Sequence, residues 1–254
     1  MEASATWNSV LLGVYVLAAV SFVSLLFFPA PYGRHDKGGA GPRIDTRLAW
    51  VLMEAPASLV FAWFFFTGER PWTAVPLVLF ALWQLHYFHR AFLYPFQLEV
   101  RPGSGTTLIT ALLGSAYCTA NGYLNGSFTS TWGDHLTADW LGDPRFAIGL
   151  VVFAFGYALN KQSDAILKRL RKPGESGYRI PYGGGYRWVS SPNYLGELLT
   201  WTGFAIASWS PAALSFVVMT AANLVPRALS NHRWYRSEFP DYPARRKAIF
   251  PGIL

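Results

Sequence analysis

The chain has 254 residues, 52% hydrophobic and 17% aromatic but only 14% charged, a balance too apolar and too charge-poor for an ordinary soluble domain. Its formal net charge of +7 would suggest nucleic acid in a soluble protein; in a membrane protein it reflects basic loops on one side, and no nucleic-acid partner is expected. The single cysteine, Cys118, lies in an apolar run, which excludes an internal disulfide and a cysteine-based metal site.

Apolar runs predict seven membrane helices, near residues 8–28, 48–66, 72–93, 106–125, 145–166, 192–209 and 211–231. Spans of roughly 20 residues, the length that crosses ~30 Å of hydrocarbon, consume most of the chain. Residues 1–254 therefore read as a single all-α transmembrane domain. The first run has only Glu2 ahead of it, where a signal peptide would carry a basic segment, and reads as a retained helix. Ser208 to Pro211 reads as a tight turn between the last two helices. Assigning loops to alternate sides places every Lys and Arg except Arg70 and Arg145 on one side. By the positive-inside rule that side is cytoplasmic, with the N-terminus outside and the C-terminus inside. The loop from Gly126 to Asp143 carries Asp134, Asp139 and Asp143 and no Lys or Arg, which fits an outside location. No internal repeat interrupts this pattern.

Ionisable groups inside spans are costly and mark sites, so their depth is informative. Glu54 enters the second helix near its cytoplasmic start, and Tyr87 precedes the cytoplasmic end of the third by a similar margin. At 1.5 Å per residue both lie roughly 9 Å deep, which allows a contact between them. Asn193 and Glu197 stand one turn apart at the start of the sixth helix, Asn160 and Asp164 one turn apart at the end of the fifth. In the last helix Asn223, Arg227, Asn231 and Tyr235 are spaced by four and line one face. Together these imply a polar cavity open to the cytosol. His86 and His89, with Arg90, read as an interfacial basic cap, and the run from Lys168 to Lys172 as a topology determinant. No metal is expected, because the histidine pair lacks carboxylates at matching spacing.

A tyrosine beside a carboxyl group in a low-dielectric cavity can polarise a carbonyl oxygen as hydride adds to a conjugated enone. There is no Gly-x-Ser-x-Gly and no nucleophile–base pair for covalent catalysis. Hydride must then come from a cofactor. Gly183-Gly184-Gly185 lies in a loop without the strand and helix of a dinucleotide fingerprint, so a soluble-type Rossmann fold is excluded. A dinucleotide could instead enter the helical cavity, its phosphates met by Arg90, Arg101, Arg171, Arg179 and Arg227. That density of arginine suits the extra 2′-phosphate of NADPH. Composition and spacing leave this as one option among several.

At these residues the chain resembles the steroid 5α-reductase family, from about Trp50 to the C-terminus. The resemblance is carried by Ala49-Trp50 to Glu54-Ala55-Pro56, by His86-Tyr87-Phe88-His89-Arg90, and by Ala116-Tyr117-Cys118-Thr119 to Asn121-Gly122. It continues through Asn160 to Asp164, Leu170-Arg171-Lys172-Pro173-Gly174-Glu175 to Tyr178-Arg179-Ile180-Pro181, Asn193-Tyr194-Leu195-Gly196-Glu197 to Trp201, and Asp241-Tyr242-Pro243 to Arg245-Arg246-Lys247. It implies NADPH-dependent reduction of the Δ4 double bond of a 3-oxosteroid, with hydride reaching C5 and a proton reaching C4. Carried over, Tyr87 and Glu54 would bind the C3 carbonyl oxygen, and Trp50, Ala116 and Tyr117 would line the steroid slot. Arg90, Tyr94, Arg101, Asn160, Asp164, Arg171, Tyr178, Arg179, Asn193, Arg227 and Tyr235 would hold the cofactor, with Glu197 beside its nicotinamide end.

Departures from the family pattern bear on substrate. Asn231 stands where a histidine contact to the cofactor would be, and Tyr117 and Tyr182 replace an expected Phe and Gln. Arg outnumbers Lys 16 to 5, which suggests a GC-rich bacterial source and a natural substrate that is a related enone. The expected setting is a multi-pass protein surrounded by membrane lipid, in the inner membrane if bacterial or the endoplasmic reticulum if eukaryotic, acting as a monomer. Two enzymes with similar C-terminal halves stay open: a reductase of enoyl-CoA or a polyprenoid enal, and an isoprenylcysteine-type methyltransferase using S-adenosylmethionine. A non-catalytic lipid-binding protein is the remaining alternative.

Overall fold

The structure is a computed structural model, and it describes residues 3–28, 41–98, 100, 105–170 and 177–254. Among them lie seven α-helices: α1 (Ala5–Phe27), α2 (Thr46–Phe66), α3 (Ala74–Phe88), α4 (Leu108–Ser127), α5 (Pro144–Arg169), α6 (Pro192–Ser208) and α7 (Pro211–Glu238). Each overlaps one of the seven apolar runs. Three of them, α1, α2 and α7, are long and apolar enough to cross a membrane by length and composition. Helix α3 has 15 residues but continues without a break into a π turn, His89–Leu93, and a 3-10 turn, Tyr94–Gln97.

The sequence did not signal the antiparallel ladder of β1 (Arg43–Asp45) with β2 (Gly105–Thr107), in which Arg43 opposes Thr107 and Asp45 opposes Gly105. Three residues are too few to show a readable alternation of apolar and polar positions. The ladder ties together the entries of α2 and α4, which pack closely along their lengths. Its last residue, Asp45, also caps α2, accepting from the backbone N–H of Arg47 and Leu48 at 2.9 and 3.0 Å.

The expected tight turn is present. Helix α6 stops at Ser208 because Trp209 takes the left-handed conformation, φ +45°. Ser210 then starts α7, its hydroxyl accepting from the N–H of Ala212 and Ala213. Close packing of α5 on α6 follows from glycine. Gly156 on α5 and Gly196 on α6 face the opposite backbone, and a Cβ would stand 2.4 Å from Thr200 N at the first and 2.5 Å from Asn160 N at the second. Only the missing side chains let the two backbones approach this closely, the usual device of helix pairs in membranes.

The core between α2, α3, α6 and α7 is aromatic. Trp83 stacks on Phe61 at 4.5 Å and meets Trp201 at 5.2 Å and Phe204 at 5.4 Å. Its indole N–H donates to Ala57 O at 2.8 Å, so burying this large ring leaves no polar atom unsatisfied. Tyr87 extends the same stack one turn toward the end of α3 where the polar residues lie.

Candidate active site

Tyr87 is 3% exposed. Its ring lies among Trp83 at 4.9 Å, His86 at 5.3 Å, Trp201 at 5.4 Å and Phe216 at 6.3 Å. Its phenol oxygen accepts from Asn121 Nδ2 at 3.4 Å. Glu54, on α2, accepts instead from Arg90 Nε through Oε1 at 2.9 Å. Glu54 and Tyr87 thus each have a hydrogen-bond partner of their own, Arg90 and Asn121. Arg90 belongs to the π turn after α3 and makes a charge-assisted bond to α2 from there.

Arg90 also lies over the Trp50 ring at 4.9 Å, and Trp50 meets Tyr94 edge-on at 5.3 Å. Trp50, Glu54, Arg90 and Tyr94 therefore form one contiguous group, although the sequence suggested Trp50 and Glu54 for substrate and Arg90 and Tyr94 for cofactor. Tyr117 faces Phe216 at 6.4 Å, and its hydroxyl is buried with no hydrogen-bond partner. Ala116 is exposed.

Glu197 joins three helices. Its Oε1 accepts from Trp201 Nε1 at 2.9 Å and lies 3.1 Å from His86 Nε2, within ion-pair range though off hydrogen-bond alignment. Its Oε2 accepts from Asn160 Nδ2 at 3.1 Å. The same Asn160 amide donates to Asn193 O at 3.0 Å, and Asn193 Nδ2 donates to Asp164 Oδ1 at 3.3 Å. All four expected polar residues of α5 and α6 thus belong to one network, assembled where Gly156 and Gly196 let the backbones touch. Beside it Lys161 Nζ lies 3.0 Å from His89 Nδ1, and Lys168 stands over the Tyr94 ring at 5.3 Å.

The remaining expected residues lie around the end of α7. Arg227 sits over the Tyr194 ring at 5.5 Å, and Asn231 is half-buried one turn further on. Tyr235 is buried and stacks on Tyr242 at 5.2 Å. Tyr178 meets Trp234 edge-on at 4.9 Å. Tyr178 and Arg179 help line a pocket of about 320 Å³ with Ile180, Tyr182, Phe239 and Asp241. Arg101 and Arg171 lie outside the described residues.

Sequence reasoning missed several members of these clusters. His86 read as an interfacial cap, yet it is 1% exposed and faces Glu197. Asn121 and Asn125 were visible as polar residues one turn apart inside an apolar run, a signal of the kind that singled out Glu54. Arg246 was hidden in a basic tail. It is 4% exposed, lies between the rings of Tyr182 at 5.0 Å and Tyr242 at 5.2 Å, and its Nε and Nη1 have no hydrogen-bond partner.

Comparison with known proteins gives a consistent result. The family model for 3-oxo-5-alpha-steroid 4-dehydrogenase matches residues 104–254. The chain is 40% identical over 243 residues to 3-oxo-5-alpha-steroid 4-dehydrogenase 1 of Mus musculus, covering 94% of this chain and 93% of the relative. It is 37% identical to Steroid 5-alpha-reductase DET2 of Gossypium hirsutum, covering 96% and 95% of the two chains. With 3-oxo-5-alpha-steroid 4-dehydrogenase 2 of Homo sapiens it shares 38% identity over the whole length of both.

Proposed function

The chain belongs to the 3-oxo-5-alpha-steroid 4-dehydrogenase family of oxidoreductases, and on that premise we propose that it uses NADPH to reduce the Δ4 double bond of a lipophilic 3-oxosteroid. Hydride reaches C5 and a proton reaches C4, giving the 5α-3-oxosteroid. Bound NADPH supplies the hydride. As hydride adds at C5 the C4–C5 pair moves to C3–C4 and negative charge collects on the C3 oxygen, where Tyr87 stabilises it by donating its hydroxyl hydrogen; the enolate then takes a proton from water at C4. The observation that carries this reading is a buried phenol whose oxygen accepts from Asn121 while its own hydrogen meets no acceptor among the described residues. Aromatic surroundings of low dielectric strengthen the bond such a donor makes to an enolate-like oxygen.

Glu54, whose orientation Arg90 fixes, makes the second contact with that oxygen as the protonated acid, donating from the carboxyl oxygen that Arg90 leaves open, since an ionised carboxylate can only accept. Trp50, Ala116 and Tyr117 line the steroid slot. The donor set around α5, α6 and α7 fits a phosphate-bearing dinucleotide. Asn160, Asp164, Asn193, Asn231 and Glu197 suit ribose hydroxyls and the nicotinamide amide, and Tyr94, Tyr178 and Tyr235 offer ring faces. Arg179, Arg227 and Arg246 suit the phosphates. Arg246 supports the fit most directly, because a buried guanidinium without a carboxylate is costly unless an anion meets it. The chain crosses the membrane seven times with its N-terminus outside, so the cofactor enters from the basic, cytosolic side.

Purified protein given progesterone with NADPH or NADH tests the reading, the product being identified by mass and chromatography. A 5α-dihydro product formed preferentially with NADPH supports it. NADPH binding without product moves the substrate to another enone. Absence of both turnover and NADPH binding overturns the reductase reading.

A further inference from the structure

We propose that Asn121, itself oriented by Asn125, is a positioning residue that fixes the Tyr87 phenol as a hydrogen-bond donor toward the substrate oxygen. This rests on the role of Tyr87 given above. The argument begins at Asn125, whose side chain is 1% exposed and meets two oxygens of the preceding turn of α4. Its Nδ2 donates to Asn121 O at 3.0 Å and to Asn121 Oδ1 at 2.9 Å. A backbone carbonyl can only accept, so the nitrogen of Asn125 must face it, and Asn125 Oδ1 is turned away without a partner.

That arrangement settles the next amide. Asn121 Oδ1 is engaged by Asn125, which turns Asn121 Nδ2 toward Tyr87, 3.4 Å from the phenol oxygen. An amide N–H₂ cannot accept, so Tyr87 cannot turn its hydrogen toward Asn121 and is left to donate elsewhere. Tyr87 has one hydroxyl proton, and the Asn125–Asn121 relay reserves it. Two buried asparagines one turn apart in the second half of α4, with Asn125 Oδ1 left without a partner, are expensive to keep as packing residues. They are accounted for by presenting one donor in a fixed direction before substrate arrives, the kind of preorganisation that stabilises developing charge.

The test uses the full-length protein in detergent, with progesterone and NADPH. Asn121→Leu keeps the volume and removes the relay; kcat is expected to fall about tenfold, the scale of one net hydrogen bond, with KM for steroid and NADPH affinity little changed. Asn121→Asp offers Tyr87 an acceptor, captures its proton, and is expected to lower kcat about as far as Tyr87→Phe does. A structural role would not produce that ordering. The deciding measurement is the double variant, in which Asn121→Leu adds no further loss to Tyr87→Phe if it acts through the phenol. An independent, multiplying loss overturns the relay. Should either Asn121 variant fail to fold, Asn125→Leu, which frees the Asn121 amide to turn, is put through the same cycle. If Tyr87→Phe itself leaves turnover unchanged, both the relay and the role of Tyr87 fall.

Discussion

Arg90 Nε donates to Glu54 Oε1 at 2.9 Å, joining the π turn after α3 to the middle of α2. The Glu54 side chain is 14% exposed and that of Arg90 31%, so the pair is shielded on one side and open on the other. Removing one partner leaves a partly buried charge, at a cost below the several kcal/mol of a fully buried pair, about 1–3 kcal/mol. Arg90→Ala should lower stability in detergent by that order, because it strands the less exposed Glu54 carboxylate, and Glu54→Ala by less, because the more open Arg90 guanidinium stays partly hydrated. A double-mutant cycle read by thermal unfolding checks the coupling. Additive losses would show that the two groups act separately.

Glu197 gathers hydrogen-bond donors from α5 and α6 and faces His86 of α3, so its loss should be felt at a distance. Glu197→Ala leaves the Trp201 indole N–H and one Asn160 N–H without their acceptor. Two buried donors left unpaired cost roughly 2–5 kcal/mol together. Glu197→Gln keeps an acceptor oxygen and should recover about half of the loss. The unfolding midpoints of the two variants decide this.

Close approach of α5 and α6 sets the position of Asn160, Asn193 and Asp164. Gly196→Ala places a Cβ 2.5 Å from Asn160 N, a backbone atom that cannot step aside without moving the helix. It should weaken NADPH binding about tenfold or more and lower thermal stability, even though residue 196 carries no chemistry. Equilibrium titration with NADPH measures the first effect. Unchanged affinity would mean that the network tolerates helix separation.

Arg246 is expected to respond differently to loss of charge and loss of packing. Arg246→Met keeps most of the buried volume between Tyr182 and Tyr242 while removing the guanidinium. NADPH affinity should fall about tenfold, the scale of one charge-assisted contact, while KM for steroid stays near its original value. Parallel titrations of NADPH and NADH show whether the lost contact concerns the 2′-phosphate.

Much of this arrangement was legible in the sequence because the seven helices coincide with long apolar runs, and charged or amide residues stand out against them. Glu54, Asn160, Asp164, Asn193 and Glu197 were found that way, and α5 and α6 do bring the last four together. The pairing of carboxylates was not legible. It depends on a π turn that shifts Arg90 around the helix axis, and a regular helical repeat does not anticipate the shift. The β1–β2 ladder is too short to carry a period. Arg246 was invisible for a different reason: a basic tail residue reads as a solvated topology signal, and only folding against Tyr182 and Tyr242 reveals that it is buried.

The most direct test compares Tyr87→Phe with the unaltered protein, measuring steady-state reduction of progesterone beside the equilibrium affinity for NADPH. Loss of the single phenol oxygen should lower kcat by about a hundredfold or more, the scale of one oxyanion-stabilising donor, with NADPH affinity unchanged within about twofold. Turnover that survives the substitution would contradict the assignment of Tyr87 as the donor to the C3 oxygen.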